Sequence, residues 1–191
     1  DSSEGYHGLN LCDAFGNAAF IAKCRVDGLR DLGTCPSAFD SYLMALGLET
    51  LSLRASHQVK SARRIAEFLR DAPEVKSVSY IGFADNPWHA NAARYFRFDG
   101  DGPVISAELQ GDTDTTARFV EALQLAAHMT MIGDSITVVT HPASTTHKQL
   151  SASDLIKAGV TPTLLRISPG LEDPEDIIDD FKQAFHRAGL C

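Results

Sequence analysis

The chain has 191 residues, of which 44% are apolar and 22% are charged, and its formal net charge is −8 at pH 7. These values are typical of a globular protein with one sizeable core, and no apolar run approaches the length of a membrane span. The acidic balance argues against nucleic acid or an anionic membrane as a partner, because both attract a basic surface.

The four cysteines, Cys12, Cys24, Cys35 and Cys191, form no CxxC pair and do not cluster with histidine. This spacing argues against a zinc site, and we predict no metal. Cys12 and Cys24 lie among apolar residues and are predicted to be small core residues in a reducing compartment. We therefore expect a cytoplasmic protein.

The first part of the chain predicts an irregular lead-in over residues 1–12 and then two helical stretches. Apolar residues at helical spacing predict a helix over 14–32 that stops at Gly33. A longer helical stretch is predicted to run to about Leu69, with a break near Gly47. Arg54 and His57 are three residues apart and share a face of it, which favours a surface pair over an active-site role.

The remaining elements alternate between strands and helices. Strands are predicted over 75–82, 103–109, 135–140 and 164–168, and helices over 87–95 and 113–128. Trp88 and Tyr95 are interpreted as packing residues. Four strands separated by helices predict an α/β domain, with a four-stranded sheet whose helices pack mainly on one face, preceded by long linking helices.

The last helix has the clearest local signals. Asp173 is placed to cap it, Pro174 occupies its first position, and Gly189 is predicted to end it. The apolar stripe of this helix consists of Ile177, Ile178, Phe181, Ala184, Phe185 and Ala188.

Arg166 stands inside the apolar run Leu164, Leu165 and Ile167, which reads as a brief buried strand. An arginine in such a run needs an anion, because an unpaired buried charge is costly, and its planar fork matches a carboxylate. In an acidic protein the commoner partner is a nearby Asp or Glu. Arg166 alone is therefore only a weak indication of a binding site.

Three stretches of the sequence make the indication stronger. Residues 133–147 read GDSITVVTHPASTTH, and residues 158–160 and 166–172 read AGV and RISPGLE. In this order and spacing they resemble the C-terminal domain of the Cys/Met-metabolism family of pyridoxal-phosphate (PLP) enzymes. Within that family the O-acetylhomoserine sulfhydrylases are the nearest match.

The resemblance implies the small C-terminal domain of a fold-type I PLP enzyme. Residues 1–34 would be the lead-in and connecting helix, and residues 35–191 the α/β domain. The family's N-terminal domain, which holds PLP, would be absent from this chain. The resemblance thus implies a lysine-bearing N-terminal part or partner chain, with a homo-oligomer also possible.

The resemblance also assigns roles to single residues. Arg166 would clamp the α-carboxylate of the amino-acid substrate, Thr137 would help to hold it through its backbone, and Tyr6 would lie near the site. None of the six lysines lies in the family's Ser-x-Thr-Lys setting, so no catalytic or cofactor-binding residue is expected in this chain.

Other chemistry of the 141–147 loop is weaker. His141 and His147 are six residues apart without a neighbouring carboxylate, which argues against a metal site. No nucleophile elbow accompanies Ser144, Thr145 and Thr146, and these hydroxyls are expected to bond the loop backbone.

Two functions follow. The first is the substrate-carboxylate-binding part of a PLP-dependent transferase of sulfur amino-acid metabolism. The whole enzyme would perform γ-replacement on an O-acylated homoserine, and this chain alone would be inactive. The alternative is a non-catalytic binding or structural module derived from the same family.

Overall fold

The computed structural model describes residues 2–3, 6–96 and 101–190 of the chain. The chain divides into a compact first unit, Asp1–Glu49, and a compact second unit, Thr50–Cys191. This division lies later than the predicted boundary at residue 34, between one helix that ends at Glu49 and the next, which begins at Leu51.

The first unit is a two-stranded antiparallel sheet followed by helical segments. In chain order these are β1 (Ser2–Ser3), β2 (Leu9–Asn10), α1 (Leu11–Phe15), a 3-10 turn (Gly16–Ala18), α2 (Ala19–Lys23), a π-helical segment (Cys24–Asp31) and α3 (Ala38–Glu49). The single helix predicted over 14–32 is therefore wrong. Gly16 ends α1 at φ 50°, a conformation that residues with a Cβ rarely adopt, and after α2 the backbone changes to π-type hydrogen bonding.

The prediction that Cys12 and Cys24 are core residues is also wrong, because both thiols are exposed, as is that of Cys35. The apolar residues around them do not enclose them: the exposed fractions of Phe15 and Phe20 are 49% and 75%. Apolar neighbours in the sequence indicate burial only where another element covers them.

The second unit contains a sheet and its covering helices. In chain order they are α4 (Leu51–Asp71), β3 (Val75–Ser79), α5 (His89–Tyr95), β4 (Ile105–Leu109), α6 (Thr113–Ala122), β5 (Ala127–His128), β6 (Val138–Thr140), a 3-10 turn (Pro142–Ser144), α7 (Ala152–Lys157), β7 (Leu164–Ser168) and α8 (Pro174–Ala188). Among the described residues no helix is both long and apolar enough to cross a membrane, and this includes the 21-residue α4.

The sheet has five strands in the order β3-β4-β7-β6-β5. All neighbours are antiparallel except β5 and β6, which are parallel. The predicted α/β fold is confirmed, and each of the four predicted strands has its counterpart. The fifth strand, β5, was not predicted, because two residues are too short to carry an alternating pattern.

One face of the sheet carries the core. Alternate residues of the central strands, such as Ile105 and Ala107 on β4 and Leu165 and Ile167 on β7, join one buried cluster. The same cluster contains Ile65 and Leu69 of α4, Phe119 of α6, and Phe181 and Phe185 of α8. Because successive side chains of a strand point to opposite faces, Ser106 and Arg166 lie on the other face.

The predicted ends of the last helix are confirmed. The Asp173 side chain accepts the N–H of Glu175 at 2.9 Å, Pro174 is the first residue of α8, and Gly189 ends the helix at φ 77° with its N–H donated to the His186 carbonyl. These signals are local, and for this reason the sequence was sufficient to place them.

Helix α6 is shorter than predicted, because a distant residue ends it. The buried carboxylate of Asp180 on α8 accepts the N–H groups of Gln124, Leu125 and Ala126 at 2.8, 3.0 and 2.9 Å. These three amides would otherwise bond within the helix predicted to continue to residue 128. The chain therefore leaves the helical path after Ala122.

Trp88 and Tyr95 do not pack into the core, which corrects their interpretation as packing residues. The exposed fractions of the two residues are 64% and 70%. Trp88 directly precedes α5 and Tyr95 is its last residue, and only Ala92 of this short helix is buried. Large aromatic side chains are usually at least partly buried, but α5 is too short to direct both of them towards the core.

Candidate substrate-carboxylate site

The polar face of the sheet carries a row of hydroxyl side chains around Arg166. On β7, Arg166 is paired in register with Ser106 of β4 on one side and with Thr140 of β6 on the other. Ser106 is in turn paired with Ser79 of β3. Residues directly opposite each other in antiparallel strands point to the same face, so these four side chains form a row across the sheet.

The guanidinium of Arg166 is bonded only to neutral oxygens. Its Nη2 donates to the Thr130 carbonyl at 2.7 Å and to the Thr140 hydroxyl at 3.3 Å. Within residues 2–3, 6–96 and 101–190 no carboxylate forms an ion pair with it, so the commoner partner considered above, a nearby Asp or Glu, is not seen. A half-buried cation with only neutral acceptors keeps the capacity to bind an anion.

Thr137 immediately precedes β6, next to the paired residues Val138 and Ser168, and is completely buried. Its N–H and hydroxyl donate to the two carboxylate oxygens of Glu172, each at 2.8 Å, and its hydroxyl oxygen accepts the N–H of Gly170 at 2.9 Å. The backbone N–H of Thr137 is therefore used by Glu172 in this structure. Its role towards a substrate carboxylate stays a prediction.

Glu172 joins the loop before β6 to the loop after β7, and no pattern in the sequence indicated a role for it. It connects the 133–137 loop to the 168–172 loop, and Leu171 adds a bond from its N–H to the Ser135 carbonyl at 2.8 Å. The available signal was its place in RISPGLE, four residues after the end of a strand. A partner 35 residues away in the chain is visible only in three dimensions.

Two neighbouring residues of helix α4 form hydrogen bonds to the 133–137 and 168–172 loops. The Gln58 amide donates to the Asp134 carbonyl at 2.6 Å, and the exposed His57 places Nε2 3.2 Å from the Glu172 carbonyl oxygen. Arg54, one turn earlier, donates to the Thr50 hydroxyl at 2.5 Å. His57 therefore contacts the loop that carries Glu172.

Tyr6 belongs to the first unit, where its hydroxyl donates to the Asp31 carboxylate. Arg30 also donates to Asp31, at 2.9 Å, and its guanidinium lies 5.2 Å from the centre of the Tyr6 ring. The hydrogen bond to Asp31 raises the pKa of Tyr6 above its ordinary value. A role for Tyr6 near the substrate site stays a prediction.

The 141–147 loop uses its polar groups on itself and on a neighbouring turn. The buried His141 places Nε2 2.8 Å from the Pro162 carbonyl, and His147 places Nδ1 2.8 Å from the Thr146 hydroxyl. The hydroxyls of Ser144 and Thr145 both donate to the His141 carbonyl, at 3.3 and 2.8 Å. The expectation that these two hydroxyls bond the loop backbone is confirmed.

His128 on β5 is expected to make stability depend on pH. Although the residue is exposed, partial desolvation of its side chain lowers its pKa below the ordinary 6.5, and the neighbouring His141 lowers it further. The unfolded state then binds the proton more readily, so stability is complete above about pH 7 and falls as the pH drops through 6.5. Urea unfolding at several pH values should show this slope, and His128→Gln should reduce it. An equal slope in both proteins would contradict the prediction.

Comparison with known proteins places this geometry in a family. The family model described as Cys/Met metabolism PLP-dependent enzyme matches residues 10–186. The chain belongs to this family. The Cys/Met-metabolism match therefore covers the polar row, the Glu172 loops and most of both units.

The relatives agree on the kind of enzyme. The chain is 44% identical over 180 residues to O-acetyl-L-homoserine sulfhydrylase 1 of Thermus thermophilus and 41% identical over 184 residues to homocysteine synthase of Schizosaccharomyces pombe. It superposes with TM-score 0.81 and 36% identity on a putative O-acetylhomoserine (thiol)-lyase of Campylobacter jejuni, whose crystal structure contains N'-pyridoxyl-lysine-5'-monophosphate.

The chain spans less than half the length of these relatives. The matches cover 94% to 97% of the chain but only 42% of the Thermus protein, 43% of the Schizosaccharomyces protein and 44% of the Campylobacter protein. It thus corresponds to a part of a fold-type I PLP enzyme.

The exposure and the ion pairs of the lysines indicate whether this part alone could hold PLP. A Schiff-base lysine is activated by burial or by a neighbouring cation. All six lysines, Lys23, Lys60, Lys76, Lys148, Lys157 and Lys182, are exposed. Lys23, Lys76, Lys157 and Lys182 moreover form ion pairs with Asp27, Glu108, Asp154 and Asp179. The described residues of this chain therefore do not by themselves fit PLP.

Proposed function

We propose that the chain is the substrate-carboxylate-binding part of a PLP-dependent O-acetylhomoserine sulfhydrylase-like enzyme, with the lysine that holds PLP supplied by another, N-terminal region. The assembled reaction would be γ-replacement in sulfur amino-acid metabolism, in which a sulfur nucleophile takes the place of acetate at the γ-carbon of an O-acetylated homoserine. We also expect this transferase to act in the cytoplasm.

The observation that carries the proposal is Arg166. It lies on the face of the sheet opposite the buried core, in a row of hydroxyl-bearing residues, and its described hydrogen bonds go only to neutral oxygens. The α-carboxylate of an amino acid is the anion that such a planar fork binds in bidentate fashion. Thr137 supports the proposed position of Arg166, because its bond to Glu172 fixes the 168–172 loop at the end of β7.

Replacing Arg166 by alanine should abolish recognition of the substrate carboxylate. The chain is co-expressed with the part of the Thermus sulfhydrylase that it does not match, and KM is measured for O-acetyl-L-homoserine and for its decarboxylated analogue, 3-aminopropyl acetate. Loss of a charge-assisted bidentate pair should raise KM for the amino acid by about a hundredfold. The variant should then no longer distinguish the two substrates.

Arg187→Ala serves as the matched control, since it removes an exposed arginine near the end of α8. It should leave KM for both compounds unchanged. If Arg166→Ala kept the preference of the parent protein for the carboxylate, the carboxylate would bind elsewhere and the proposal would fail.

The alternative is a non-catalytic module of the same family, and the exposure of all six lysines is the observation that favours it. The purified chain is mixed with PLP and reduced with borohydride. The main proposal and the alternative both expect no specific labelled lysine in the chain alone. They differ after co-expression with the unmatched Thermus part, where only the main proposal expects turnover.

A further inference from the structure

Helix α3 (Ala38–Glu49) is apolar but uncovered. None of its residues is buried, although six of the twelve are large apolar residues. Their exposed fractions lie between 48% and 66%, for Phe39, Tyr42, Leu43, Met44, Leu46 and Leu48. An exposed apolar surface of this extent on one helix marks an interaction site.

The six residues lie on two opposite sides of the helix. At about 100° per residue, Phe39, Tyr42, Leu43 and Leu46 follow the spacing i, i+3, i+4, i+7 and form a first stripe. Met44 and Leu48 are four apart and form a second stripe on roughly the opposite side. Helix α3 therefore differs from an ordinary surface helix, which has a single apolar stripe.

A helix that is apolar on two sides is normally enclosed by a protein interior or a membrane. With twelve residues, α3 is about 18 Å long, which is well short of the roughly 30 Å of a bilayer core. A second copy or a bound peptide that packs its own helix against α3 would cover only one stripe. The occupant must therefore be a folded region large enough to form a groove.

We propose that α3 inserts into a groove of the lysine-bearing region, which contacts both of its stripes. More than half of each relative lies outside the part that this chain matches, so a region of sufficient size exists in the family, and α3 itself lies within the matched residues 10–186. The identity of this partner rests on the proposed function. The need for two-sided cover rests on α3 alone.

The test measures complex formation, without PLP or substrate. The tagged chain is co-expressed with the part of the Thermus sulfhydrylase that it does not match, since neither part then has to fold alone. Leu43→Asp alters the first stripe, Leu48→Asp alters the second, and Ile156→Asp, at a more exposed apolar position on α7, is the control. The parent chain and the control should co-purify with the Thermus part. Each α3 variant should reduce the amount of complex about tenfold or more.

Hydrogen exchange of the parent chain gives a second measurement that needs no variant. The amides of α3 should exchange on the order of tenfold slower or more in the complex than in the chain alone. The inference is overturned if no complex forms, if either variant binds like the parent, or if α3 gains no protection. It is also overturned if the chain associates with itself and both variants abolish that instead, because the occupant is then a second copy.

Arg166→Ala separates this inference from the proposed function. The variant should form the complex as the parent does, because Arg166 lies on the sheet of the second unit and not on α3. If the Arg166→Ala complex forms normally but keeps the carboxylate preference of the parent, the proposed function is refuted and the docking surface stands.

Discussion

Replacing Asp180 by alanine is expected to lower the free energy of unfolding of the second unit by about 3 kcal/mol, because it removes the acceptor of several N–H groups at once. Its carboxylate accepts the N–H groups of Gln124, Leu125 and Ala126, and also bonds the Gln183 amide at 2.9 Å. Alanine would leave the Ala126 N–H buried without this partner, and the end of α6 would lose its connection to α8. Urea unfolding followed by circular dichroism measures the change.

The neighbouring Asp179 provides the control. Its carboxylate pairs only with Lys182 at the surface, at 2.8 Å, and its side chain is 72% exposed. Asp179→Ala should therefore change the free energy of unfolding by about 0.5 kcal/mol or less. The loss in the free energy of unfolding for Asp180→Asn should lie between those for Asp179→Ala and Asp180→Ala, since the asparagine amide keeps one acceptor oxygen. Equal unfolding midpoints for Asp179→Ala and Asp180→Ala would refute the role given to Asp180.

Replacing Gly170 by alanine is expected to cost about 3 kcal/mol as well, through a steric conflict with backbone atoms. A Cβ at this position would lie 2.4 Å from the Ile136 carbonyl carbon, 2.5 Å from the Ser135 carbonyl oxygen and 2.4 Å from a Glu172 carboxylate oxygen. The 133–137 and 168–172 loops would have to separate. The bonds of Thr137 to Glu172 and Gly170 would then be lost together.

Two measurements check the Gly170 prediction. Unfolding in urea should show the loss of stability, and hydrogen exchange should show faster exchange of the Thr137 and Gly170 amides. Gly47→Ala is the control, because no atom lies within 4 Å of a Cβ placed there. That substitution lies inside α3 and should not destabilise the protein, since alanine favours a helix interior more than glycine does. A Gly170→Ala protein as stable as the parent would mean that the two loops adapt at no cost.

The strand around Arg166 and the last helix could be predicted from the sequence, because their signals lie within a few residues. The predicted strand at 164–168 is β7, and the caps at Asp173 and Gly189 are as expected. The family could also be recognised from the residues alone, since GDSITVVTHPASTTH and RISPGLE stand in a fixed order along the chain.

The contacts that form the site could not be predicted in this way. The pairing of Arg166 with Ser106 and Thr140 depends on a strand order in which β7 lies between β4 and β6, although β5 and β6 separate β4 from β7 in sequence. The bond from Thr137 to Glu172 joins residues 35 positions apart. Such pairs are decided by which side chains the folded backbone brings within hydrogen-bond distance.

The burial of individual residues likewise could not be predicted from the sequence alone. The sequence by itself determined the apolar and polar positions, the α/β class and the family. Only the tertiary structure decided that Cys12, Trp88 and α3 are exposed while Asp180 and Thr137 are buried. The physical reason is that hydrophobicity is a property of one residue, whereas burial requires a second element to cover it, and that element is supplied by the fold or by a partner.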